Sequence, residues 1–200
     1  GYADYASAPY NAAYAPILNT GKKWSVEAWI RLDKTPYPHD VTVLHMGKNV
    51  VGAGTPGYPF RVIILSTQEL QVSWSTTTTD KNKTFSTGYI CTLGTPFHLA
   101  LVRNGTVIEV YINGVLYGTD TAADENGPTS DTATTQGLYL GARWNSAAYV
   151  VDTYASVTID ELRVWSVARS AQAIAQSYDR RLGDADSTGL VGYYRFDSDS

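Results

Sequence analysis

The chain holds a single cysteine, Cys91, in 200 residues. No intrachain disulfide can form, which excludes the small stapled scaffolds of secreted proteins. Charge is also scarce: Asp, Glu, Lys and Arg make up 17% of the residues, below the usual quarter, and the net charge is −4. Fifteen Lys and Arg scattered along a mildly acidic chain make a poor nucleic-acid binder. No apolar run approaches the roughly 18 residues of a membrane span. The opening "GYADYASAPY" carries neither a basic nor an apolar segment. It therefore reads as no signal peptide, and residues 1–200 as one domain excised from a larger protein. A chain of this length can bury a sizeable core without a metal or a disulfide to hold it.

What the chain does have is tyrosine, 15 of them, with 5 tryptophans. Tyrosine at this frequency among many Ser and Thr suits half-exposed strands and binding surfaces, as in extracellular binding proteins. Strand patterns recur at short spacing. "WSVEAWIRL" (24–32) alternates Val26, Ala28, Ile30 and Leu32 against Ser25, Glu27, Trp29 and Arg31. "VTVLHM" (41–46) and "FRVIILS" (60–66) follow, and "ELQVSWS" (69–75) puts Leu70, Val72 and Trp74 on one face. "FHLALVRNGTVIEVYINGVLYGT" (97–119) sets two Asn-Gly pairs between alternating runs. Asn-Gly favours the type I′ turn, so the segment predicts a three-stranded meander. Further strands are expected at 138–142, 156–165 and 190–196. One helix fits, "SAQAIAQSYDRRLG", with Ser170 as N-cap and Gly183 as the stop. The sum is all-β: a two-sheet antiparallel β-sandwich (jelly roll) with one short helix near the C-terminus.

In "TIDELRV" (158–164) alternation puts Thr158, Asp160, Leu162 and Val164 on one face. If Leu162 and Val164 point into the core, so does Asp160. A carboxylate there needs a partner, since burial otherwise costs several kcal/mol or protonates it.

"WSVEAWIRLD", "FHLALVRNGTVIEVYINGVLYGT", "LYLGARW", "TIDELRVWSVARSAQAIAQSY" and "GLVGYYRFD" stand in a recognisable order. From about Tyr5 to Asp197 the chain resembles the LamG-like jelly-roll domains of the concanavalin A-like lectin/glucanase superfamily, close to the pentraxin-like branch. The resemblance implies two antiparallel sheets with ligand loops at a concave face or its rim. It also implies a structural Ca²⁺ that ties an N-terminal segment to the Asp of the "I/V-D-x-x-R-V" strand. Asp160 matches that position, and Asp4 is its N-terminal neighbour. The alternative is that Asp160 accepts backbone N–H groups or pairs with an Arg. "DADSTG" (184–189) has the opening spacing of an EF-hand loop, but Arg195 stands where the closing Glu belongs, so it reads as a turn.

Relatives that cleave β-glucans carry a Glu-x-Asp-x-x-Glu strand, and this chain has none. Glu27 and Glu109 stand singly on strands, His39, His45 and His98 are scattered, and no G-x-S-x-G occurs. A non-enzyme is expected. Pentraxins bind ligand through Ca²⁺ held by acidic loops; the corresponding loops here, 47–59 and "LYLGARWNSAAY", offer no acid. In their place stand Trp144, Arg143, Asn145 and Tyr149, with Tyr58, Tyr37 and His39 in neighbouring loops. Aromatic rings beside Arg and Asn are what sugar sites use, the ring stacking on C–H faces and the polar groups meeting hydroxyls. The expected function is a non-catalytic, extracellular, lectin-like module. It would recognise a glycan or glycoconjugate through an aromatic loop rim as part of a larger secreted protein. The rival is a protein–protein adhesion or fibre-tip domain, in which the Tyr-rich surface meets a cell-surface protein.

Overall fold

The computed structural model describes residues 5–8, 14, 23–47, 60–75, 82–121, 137–145 and 150–197; of Trp144 and Asn145 it describes the backbone. The strands, in chain order, are β1 (Ala6–Ala8), β2 (Lys23–Leu32), β3 (Val41–Met46), β4 (Phe60–Ile64), β5 (Glu69–Ser75), β6 (Asn82–Ile90) and β7 (Phe97–Asn104). There follow β8 (Val107–Ile112), β9 (Val115–Thr121), β10 (Leu138–Leu140), β11 (Arg143–Asn145), β12 (Val150–Asp152), β13 (Val157–Trp165) and β14 (Leu190–Tyr194). Among the described residues, an α-helix, α1 (Ala171–Ser177), and a short 3₁₀ turn (Asp184–Asp186) precede the last strand. The first six-stranded sheet has the order β1-β10-β3-β4-β5-β6 and the second β14-β13-β2-β7-β8-β9, with β11 and β12 forming a separate hairpin. All pairings are antiparallel. This is the expected β-sandwich.

The core lies between the sheets and follows the alternation. Val26, Ala28, Ile30 and Leu32 of β2 meet Phe60, Val62, Ile64, Leu70, Val72 and Trp74 of the facing sheet. Trp74 is buried in this core, which removes it from any ligand face. Gln71 and Ser73 take the other parity and stand outside this core, although Ser73 is buried.

The outer side of the second sheet is not left to water. α1 lays Ile174 against Ala100, Val102 and Tyr111, and burying that one side chain contributes about 2 kcal/mol. Ser170 caps the helix by accepting the Ala173 N–H at 3.2 Å. The helix ends at Ser177, six residues short of the expected stop at Gly183. The cause is Arg163: its Nη1 donates to the Ser177 carbonyl at 2.8 Å and its Nη2 to that of Arg180 at 2.5 Å. A carbonyl held this way is turned from helix propagation to the sheet.

The 97–121 meander forms as expected, but its two turns differ. Asn113 and Gly114 both have positive φ, as a type I′ turn requires. In the first turn Asn104 pairs with Val107 as the last strand residue, and Gly105, φ +67°, takes the first central position. Register, not the dipeptide, decides which residues turn.

β13 corrects the largest expectation. Asp160 lies opposite Trp29 and Arg163 opposite Glu27, so three steps on β13 span two on β2. One extra residue makes a β-bulge, centred on Glu161 at φ +50°. Before it Val157 and Ile159 pack on the core while Thr158 and Asp160 are exposed; after it Leu162 and Val164 are buried. Asp160 therefore does not share a face with Leu162.

Candidate ligand-binding site

On the parity turned away from the core, residues of the first sheet line up across all its strands, with His45 and Ser73 among them buried. The register runs Ser7–Tyr139–His45–Arg61–Ser73–Thr84, one residue from each of β1, β10, β3, β4, β5 and β6. The order follows from each strand spending its other parity on the core. Tyr139 stacks on His45, centroids 6.1 Å apart and planes at 28°. Burial pushes the His45 imidazole down to about 3; Arg61 and Arg143 push the same way and Asp152 opposes them. His45 is thus a neutral ring at neutral pH, within electrostatic reach of Arg143 and Asp152 of the β11–β12 hairpin.

That hairpin is pinned at its base. Arg143 pairs with Asp152 in register, and its Nε and Nη2 donate to the two carboxylate oxygens at 2.5 and 3.3 Å. The fork-to-carboxylate geometry fixes both side chains at the margin of the polar row. Trp144 and Asn145 follow on the same strand, opposite Val151 and Val150. Tyr58 and Tyr149 lie outside the described residues. His39 sits in the bend after the cis Tyr37–Pro38 peptide, its backbone N–H donating to Pro36 at 2.9 Å. His39 and Tyr37 are exposed. The structure thus joins Arg143 to Asp152 and to the row of His45, Arg61 and Tyr139. Sequence reading did not single out Asp152, Arg61 or Tyr139. Their signal is the outward parity shared by neighbouring strands, visible only once register is known.

Of its two expected kinds of partner, Asp160 meets a backbone N–H. Its carboxylate faces outward and accepts the N–H of Glu161 at 2.8 Å. It lines a recess of about 310 Å³ together with Trp29, Glu161, Asp179, Arg180, Arg181 and Asp197. Asp4 lies outside the described residues. Among the described residues no three His, Cys, Asp or Glu gather as a metal site. A Ca²⁺ held at Asp160 would need Asp4 and further oxygens to reach the six to eight it takes. In "DADSTG", Asp186 accepts the Gly183 N–H at 3.1 Å and pairs with Arg180 at 2.8 Å, so the segment is a turn.

The strand carboxylates are occupied by the scaffold. Glu27, fully buried, meets Arg169 at 3.1 Å, Arg163 at 3.6 Å and His98 at 3.7 Å. Arg169 also lies over the Trp165 ring at 4.1 Å. Glu161 bonds Arg163 at 3.0 Å and Tyr193. Glu109 accepts the Tyr111 hydroxyl at 2.9 Å. Together Glu27, Arg163 and Arg169 fasten α1 and the segment after it to the second sheet.

Two jelly-roll sheets with a helix over one of them match a known family over residues 1–175, described as the concanavalin A-like lectin/glucanases superfamily (Laminin_G_3). The chain belongs to that superfamily. No curated protein matches its sequence. Among solved structures it is similar to a provisionally assigned carbohydrate-binding protein of Bacteroides ovatus ATCC 8483. That match has 20% identity and a TM-score of 0.67, and covers 98% of this chain and 50% of that one. The receptor-binding domain of a botulinum neurotoxin C/D mosaic serotype gives 17% identity, TM-score 0.62, and coverage of 88% and 40%. A heptameric SAP-like pentraxin of Limulus polyphemus gives 15%, 0.57, and 84% and 76%. At these identities the likeness is one of fold, and the chain spans about half of the Bacteroides protein.

Proposed function

We propose that this chain is a non-catalytic carbohydrate-binding module of an extracellular protein. Its glycan would lie along the β11–β12 hairpin, against Arg143, Trp144 and Asn145, with Tyr149, Tyr58 and His39 on the surrounding rim. The observation that carries this reading is the Arg143–Asp152 clasp at 2.5 Å beside the polar row. It offers oriented donors and acceptors next to aromatic rings, the combination that sugar hydroxyls and C–H faces need. The family and the Bacteroides relative support it. The carboxylates of Glu27 and Glu161 are held by guanidiniums, which suits a scaffold and not an acid–base pair. A Ca²⁺ at Asp160, with Asp4 beside it, enters this reading only as a scaffold ion.

A protein partner is the second reading. It is favoured by Val115, Leu116 and Tyr117 on edge strand β9 and Ile90 on edge strand β6, all exposed.

The test is a glycan array with wild type and Trp144→Ala, each with Ca²⁺ and with EDTA. Binding that is lost in Trp144→Ala and kept in EDTA supports the hairpin site. Binding lost in EDTA by a domain that stays folded would make the site metal-mediated and refute it. No binding by wild type would move the assignment to a protein partner.

A further inference from the structure

Where β2 begins and β7 ends, the sandwich encloses a group of donors that glycan binding does not use. Arg103 follows Phe97, Leu99 and Leu101 on the core face of β7, directly opposite Trp24 on β2 and Ile108 on β8. It is 1% exposed. Its Nε donates to the Gly105 carbonyl at 3.1 Å, and neither Nη1 nor Nη2 has an acceptor among the described residues. The indole N–H groups of Trp24 and Trp74, 0% and 1% exposed, likewise have no acceptor among the described residues. Trp24 packs on Phe60 of the facing sheet, centroids 5.3 Å apart. Phe60 and Trp74 are neighbours where the β4–β5 register runs on from Arg61–Ser73. The three donor side chains thus come from both sheets to one end of the core.

A buried polar group without a partner costs about 1–3 kcal/mol, and a charged one more. Three such side chains, all donors and one of them cationic, call for a negatively charged acceptor. The Nε anchor fixes the guanidinium plane and leaves the Nη1–Nη2 edge, whose spacing fits two oxygens of one planar oxyanion. Lys83, opposite Trp74 in register, adds positive charge at this end. Asp120 lies in the Arg103 row, two strands away beyond Ile108, and hydrogen-bonds neither Nη. Burial lowers the hold of Arg103 on its proton, as expected of a cation without a counter-ion.

We propose that Arg103 and the indole N–H groups of Trp24 and Trp74 bind a small, singly charged oxyanion of the carboxylate class inside the sandwich. Near-complete enclosure limits the occupant to a few atoms, a free ion and not the carboxylate of a larger ligand.

Sodium formate is the probe, titrated against thermal unfolding and tryptophan emission, with sodium chloride at matched ionic strength as the comparison. Wild type should show a saturable rise in Tm and a saturable emission change in formate but not in chloride. Arg103→Lys keeps a charge without the planar fork and should need roughly tenfold more formate. Arg103→Met should not respond at all. Asp120→Asn should respond as wild type does. The proposal is overturned if wild type fails to respond, or if chloride matches formate. It is equally overturned if Arg103→Lys titrates like wild type, or if Asp120→Asn is destabilised and then responds to formate more strongly than wild type, because Asp120 would then be the acceptor that formate merely replaces.

Discussion

Replacing one turn glycine at a time separates backbone strain from packing. At Gly114, φ +78°, an added Cβ would stand 2.6 and 2.8 Å from Cδ1 and Cε1 of Tyr178 and 3.3 Å from the Ala175 Cα. The tyrosine ring has little freedom to retreat, with Trp29 and His98 packed on it at 6.4 and 5.7 Å between centroids. Its own carbonyl accepts the Trp29 indole N–H at 3.0 Å. At Gly105, φ +67°, a Cβ would meet nothing within 4 Å. Both alanines face a positive φ, costing about 1–2 kcal/mol. Gly114→Ala adds overpacking of about 1–3 kcal/mol. Gly114→Ala should therefore unfold about 2 kcal/mol more easily than Gly105→Ala, or about 4–8 °C lower in Tm for a chain of this size. Urea unfolding monitored by tryptophan fluorescence measures the difference. Tyr178→Ala should relieve part of it, so the double variant with Gly114→Ala should lose less than the sum of the singles. Equal losses at the two glycines would refute the claim that α1 is seated against this turn.

Other outcomes follow from the same structure. His45 titrates near 3 when folded and near 6.5 when not, so its contribution is complete above pH 6.5 and falls as pH drops toward 3. Between pH 7 and pH 5 the stability advantage of wild type over His45→Gln should shrink by about 2 kcal/mol, read from urea midpoints at the two pH values. An unchanged difference would place His45 in water. Ser170→Ala should cost about 1 kcal/mol, since the Ala173 N–H loses its acceptor; a cost near zero would show water replacing the cap freely. Arg143→Ala breaks a partly exposed ion pair and should cost at most about 1 kcal/mol in stability while reducing glycan binding; retained binding would move the site off the hairpin.

The strand alternation carried most of the architecture. Leu70, Val72 and Trp74 are buried and Gln71 and Ser73 are not in the core because a period of two needs only local sequence. The meander was legible for the same reason, and Ser170 as a cap is a local signal too. What failed was whatever depended on a distant residue. The helix stops at Ser177 because Arg163, on another element, takes its carbonyl. Asp160 faces outward because β13 holds one residue more than the stretch of β2 it pairs with. Of the candidate site, Arg143 was legible as a loop-flanking polar residue, whereas its tie to Asp152 and the row through His45 depends on pairing between strands.

Glu161 gives β13 something like a frameshift. Upstream of it one reading frame of the strand belongs to the core, and downstream the other does, so two clients share a single strand. Val157 and Ile159 serve the interior through the first frame, and Arg163 reaches the tail of α1 through the second. A relative that lacked the extra residue would keep the same letters but exchange their roles, with its counterpart of Asp160 turned to the interior. Transferring a residue's role across this superfamily by motif alone is therefore safe only where the length of this strand against its neighbour has been checked.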